Sequence, residues 1–95
     1  MKIERTSRMI EPCTEGGYIG HYFHLDAAIG TEFVESLGAH GSLTFMRNLK
    51  KPFFLLRGDG IIIRGLVGDD FCKVGINGNN PALMDDARKI VESRS

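Results

Sequence analysis

The stretch PFFLLRGDGIIIRGLV, residues 52–67, decides the fold. Two apolar runs of strand-forming residues flank Gly58-Asp59-Gly60. Glycine and Asp-Gly reach positive φ at little steric cost, so these three residues predict a hairpin turn between strands 52–57 and 61–67. A half-solvated antiparallel strand alternates apolar and polar side chains. Here Phe53–Leu56 and Ile61–Ile63 are apolar at every position, which puts hydrophobic side chains on both faces of the hairpin. The letters Arg57-Gly58-Asp59 match a cell-adhesion tripeptide, but the turn explains them fully.

On either side of the hairpin the pattern continues. Leu43 and Phe45 alternate with Thr44 and Met46 in a strand over 42–48, and a further strand is expected over 70–76. Asn79-Asn80-Pro81 supplies a helix cap followed by proline at the first helical position, where a missing N–H costs nothing. Leu83, Ala87, Ile90 and Val91 then share one face of a helix over 81–93. A second helix is expected over 26–37, capped by Asp26 and ended by Gly38, with Ile29, Phe33 and Leu37 in a row. Gly30 inside it costs about 1 kcal/mol relative to alanine. Residues before Pro12 read as a weaker first strand.

These elements make one α+β domain over residues 1–95: a single antiparallel sheet of about five or six strands with two helices packed on one face. A helix, four strands and a helix in that order resembles the element order of saddle-shaped TATA-binding-type domains, a likeness of topology alone. Helices on one face leave the other open. Either residues 1–25 fold over it, or the hairpin 53–67 is an interface, and an exposed contiguous apolar surface marks an interface or ligand site. The expectation is a homodimer through this hairpin, with Phe53, Phe54, Ile62 and Arg64 as interface residues.

The most chemical-looking stretch is YIGHYFHLD, residues 18–26, which holds His21 and His24. In a helix the two rings would share a face, as a metal pair requires. In a strand, alternation sends Ile19, His21, Phe23 and Leu25 one way and Tyr18, Tyr22 and His24 the other. Tyr, Ile and Phe favour a strand, and Gly16, Gly17 and Gly20 oppose a helix start. A zinc site would also need Cys13, His40 or Cys72 to arrive from elsewhere without any recognisable ligand spacing. The expectation is therefore structural histidines, no metal and no cofactor. A small enzyme or metal protein using His21, His24 and Cys13 is the third-ranked reading.

Composition narrows the remaining classes. The 95 residues are 42% hydrophobic and 25% charged, as in a globular domain. A chain this size buries roughly two-thirds of its unfolded surface. No apolar run approaches the ~20 residues that span a bilayer. The first residues carry charges without an apolar stretch behind them, so a cytoplasmic protein without membrane contact is expected. Cys13 and Cys72 form no C-x-x-C motif and read as reduced thiols. No P-loop, nucleophile elbow or dinucleotide fingerprint is present, which argues against an enzyme. The polar loop 74–81 leads into a helix N-terminus, yet Asp85 and Asp86 oppose an anion there.

Net charge is zero, but the signs are segregated along the chain. From Met9 to Met46 there is no Lys or Arg, against Glu11, Glu15, Asp26, Glu32 and Glu35. From Arg47 to Arg64, five cations (Arg47, Lys50, Lys51, Arg57, Arg64) face Asp59 alone. The two blocks can meet within one subunit or across a dimer, or the basic block can serve an anionic partner. The leading functional reading is a non-catalytic binding or regulatory module acting through protein contacts. The runner-up is nucleic-acid binding by those five cations with Phe53 or Phe54 against bases.

Overall fold

The computed structural model describes residues 2–8 and 17–92. It contains β1 (Ile3–Arg8), β2 (Tyr18–Leu25), α1 (Thr31–Leu37), a 3₁₀ turn (Gly38–His40), β3 (Ser42–Met46), β4 (Phe53–Arg57), β5 (Ile61–Leu66), β6 (Phe71–Asn77) and α2 (Leu83–Glu92). The six strands form one sheet in the order β1-β2-β6-β5-β4-β3. Every neighbouring pair is antiparallel. The fold is α+β, as the hydrophobic patterning predicts.

The hairpin forms as its sequence requires. Gly60 sits at φ 78° in the turn, and the Gly58 N–H donates to the Ile61 carbonyl at 2.8 Å. The register then runs Leu56 opposite Ile63 and Phe54 opposite Gly65. Residues directly opposite one another share a face. One face therefore carries Leu43, Phe45, Phe54, Leu56, Ile61, Ile63, Cys72, Val74, Ile76 and Phe23. Phe33, Val34 and Leu37 of α1 and Ala87 and Val91 of α2 complete the same buried cluster. Both helices thus lie on one face. The rings of Phe33 and Phe54 meet edge-on at 6.5 Å, an arrangement that places positive ring edge against negative ring face.

The first helix begins later than its apolar row suggests. Asp26 does not cap it: the Asp26 Oδ1 accepts from the Lys2 N–H at 3.0 Å, and the Asp26 N–H donates to the Lys2 carbonyl at 3.0 Å. Asp26 therefore closes the β1–β2 pair. Ile29 is fixed by its backbone, donating to the Asp69 carbonyl and accepting from the Gly68 N–H. Gly30 becomes the N-cap with extended backbone, so it bears no helix-interior penalty. At the other end α2 closes against β1, where the Ile3 N–H donates to Glu92 Oε2 at 3.0 Å.

Residues 2–8 and 17–25 lie in the sheet rather than over its second face. The alternative in which they fold over that face is corrected for these residues. They extend the sheet by two strands because β2 finds its hydrogen bonds along β6, and β1 along β2. No helix among the described residues is long and apolar enough to cross a membrane.

Candidate functional site

The face away from the helices is built by the alternate residues of the same strands. One row across it reads Met46, Phe53, Leu66, continued on the neighbouring strands by Phe71, His24 and Arg5. The next reads Thr44, Leu55, Arg64, Lys73, Tyr22 and Ser7. A third holds Ser42, Arg57, Ile62, Gly75 and Gly20. Phe53, Leu55, Leu66, Phe71, Tyr22, Arg64 and Lys73 are all half-buried. Among the described residues, no element lies over them.

Charge on this face is one-sided. Arg64 and Lys73 stand directly opposite each other on β5 and β6, and Arg5 and Arg57 flank them toward the two edges. The paired strand positions of the face hold no Asp or Glu. Like charges directly opposite each other destabilise a sheet, so this pair costs the fold some stability. Glu32, Glu35, Asp85, Asp86 and Glu92 are on the helices, while Asp26, Asp59, Asp69 and Asp70 lie in loops and Glu4 in β1 outside the paired positions. A chain of zero net charge thereby gains a basic sheet face.

Between these cations runs a shallow groove of about 210 Å³, lined by Phe53, Arg64, Gly65, Leu66, Asp69, Phe71 and Lys73. Asp69 stands at its rim and is paired with Lys51, Nζ to Oδ1 at 3.0 Å. The volume is below the ~300–1,000 Å³ of small-molecule pockets, which suits a ligand lying across the strands better than one enclosed between them. Beside the groove, the Tyr22 and Phe71 rings meet edge-on at 6.0 Å. The Tyr22 and His24 rings are 6.3 Å apart, and His24 Nε2 shares a hydrogen bond with Ser7 Oγ at 3.1 Å.

The structure redistributes the residues singled out in the sequence. Phe53 and Arg64 lie on the open face. Phe54 does not: it is fully buried under α1, because adjacent strand residues point to opposite faces. Ile62 is on the open side but only 5% exposed. Both side chains are thus buried within the single chain, whereas the sequence reading set them on its surface. Arg57 is exposed at the end of β4. Arg47 stacks on the Phe45 ring at 4.6 Å and pairs with Glu35 at 3.0 Å, so the acidic and basic blocks do meet within one subunit. Lys50 is exposed in the β3–β4 turn, and Lys51 is held by Asp69.

His21 and His24 point to opposite faces of β2, His21 opposite Val74 and His24 opposite Phe71. They form no common site, and no cluster among the described residues could hold a metal ion. Partial burial, followed by the nearby charge of Arg8, lowers the His21 pKa below its ordinary value. Cys72 is buried, and burial raises its thiol pKa to about 12. Cys13 lies outside the described residues. Sequence reasoning missed Lys73, Tyr22, Phe71 and Leu66. The signal was present in Phe71-Cys72-Lys73-Val74, whose alternation puts Phe71 and Lys73 on one face once Cys72 and Val74 face the core.

The chain matches no family model, and comparison with curated proteins and with solved structures gives no significant match.

Proposed function

We propose that the chain is a non-catalytic binding module that takes single-stranded nucleic acid across the open face of its sheet. The observation that carries this reading is the Arg64–Lys73 pair, set among paired strand positions that hold no Asp or Glu and bordered by Tyr22, Phe53 and Phe71, with the groove's Asp69 engaged by Lys51. Cations in this arrangement suit phosphates, and half-buried rings beside them offer π-surfaces to unstacked bases. Binding an anion there would also relieve the repulsion between Arg64 and Lys73. The binding surface differs from the basic segment 47–64 expected from the sequence: Arg64 stays in it, Arg5 and Lys73 join it, and Arg47 and Lys51 lie apart from it with carboxylate partners.

The same charges weigh against a two-fold dimer through the outer side of hairpin 53–67. Such an interface sets a patch against its own copy, crowding Arg64 and Lys73 of both copies into one contact where the groove's Asp69 is already engaged by Lys51. Like-charge juxtaposition of this kind costs several kcal/mol.

The test is fluorescence anisotropy with labelled single-stranded DNA and RNA at low ionic strength. Engagement of about three phosphates gives a slope near −2 in log affinity against log salt. Arg64→Ala with Lys73→Ala should remove most of the binding. Absence of binding at low salt, or binding indifferent to salt and to the double substitution, overturns the reading.

A further inference from the structure

We infer that the free edge of β3 is a self-association site, at which β3 of a second copy pairs antiparallel about a two-fold axis. The inference is independent of the nucleic-acid reading. It begins with a contrast between the two edges of the sheet. β1 is guarded: its register slips between Ile3 and Arg5, and three of its six residues, Glu4, Arg5 and Arg8, are charged. Bulges and charges are the usual means of preventing edge pairing. β3 has none of these. Its five residues, Ser42 to Met46, carry no charge and no proline, and they pair in unbroken register with β4. Their outward backbone groups are therefore an open template for another strand.

A second observation points to the same place. The large hydrophobic side chains that stand exposed among the described residues are Met46 at 49% and Leu49 at 48%. One ends β3 and the other lies in the turn just after it, beside a depression lined by Phe45, Met46, Arg47, Asn48 and Leu49. Exposed apolar groups gathered at an unguarded edge mark an interface more strongly than either feature alone.

The occupant is a second copy because the strand complements itself. Antiparallel pairing centred on Thr44 sets Leu43 against the partner's Phe45 and Phe45 against the partner's Leu43. Both residues are half-buried at the margin of the core, so the pairing joins two apolar layers into one. On the open face Thr44 meets its own copy, and Ser42 meets the partner's Met46. No like charges oppose each other within the paired strands, in contrast to a dimer through hairpin 53–67. A two-fold axis normal to the sheet leaves both helix layers on one side and both basic faces on the other.

Sedimentation velocity over a range of protein concentrations tests this on the full chain. The expected result is a concentration-dependent dimer that Thr44→Lys weakens about tenfold or more, because two like charges then face each other across the axis. Thr44 and Met46 are exposed, so Thr44→Lys and Met46→Lys should retain the wild-type circular dichroism spectrum as folded monomers. Hydrogen exchange provides a second readout: the outward amides of β3 should be protected in the wild-type dimer and exchange freely in Thr44→Lys. A wild-type monomer at every concentration overturns the inference. So does a dimer that Thr44→Lys and Met46→Lys leave intact, or a monomer whose β3 amides become protected only on adding an extended peptide of another protein.

Discussion

Gly65 and Phe54 face each other across β4 and β5, and the absence of a side chain at Gly65 gives the ring its place. A Cβ added there would lie 3.1 Å from two atoms of the Phe54 ring. Gly65→Ala should therefore cost about 1–3 kcal/mol, the range for overpacking a core, read as a lower urea midpoint with an unchanged slope. Phe54→Ala, at a fully buried position, should cost about 3–5 kcal/mol, while Phe53→Ala should cost less and act mainly on ligand affinity. Cys72 supplies the pH-dependent term. Its thiol ionises near 9.0 when unfolded and about 12 when folded, so above pH 9 the unfolded chain loses a proton that the folded chain keeps. Stability should fall as pH rises through that window, and Cys72→Ala should flatten the fall. His21 acts at the opposite end. Its lowered pKa favours the neutral ring in the folded state, so its contribution is lost as pH falls through 6.5.

Among the elements, the Ile3 N–H to Glu92 Oε2 hydrogen bond ties α2 to β1 beside the apolar contact of Ile3 and Val91 with the core. Glu92→Ala leaves that part-buried amide without its partner, and should cost about 1–2 kcal/mol. Exchange of the Ile3 amide should speed up more than that of the central strands, which separates local fraying from global loss. The strands from 42 onward, though not their exact ends, and the hairpin turn were legible in the sequence, because alternation and Gly58-Asp59-Gly60 are local signals. The start of α1 was not. Leu25, Ile29 and Phe33 have helical spacing, yet Leu25 ends β2 and Ile29 is bound by its backbone to Gly68 and Asp69. A distant loop overrode the local period.

At the scale of the whole molecule, the sheet sorts charge by parity rather than by position along the chain. Arg64 and Lys73 come from different strands and become neighbours only through the β5–β6 register. Arg64→Thr should therefore raise stability slightly, by about 0.2–1 kcal/mol, through relief of the like-charge pair, while weakening oligonucleotide binding. A gain in melting temperature together with a loss of affinity would distinguish a site built for an anion from a structural arginine, whose removal would lower both.

The amino-acid sequence by itself determined the class of fold, the hairpin 52–67, and the opposite facing of His21 and His24. Each follows from periodicity or turn chemistry within a few residues. Only the tertiary structure decided that Phe54 and Ile62 are buried, that Lys73, Tyr22 and Phe71 join Arg64 on one face, and that β3 rather than the hairpin presents the unguarded edge. Those outcomes depend on strand order and register, which are set by packing between residues far apart in the chain.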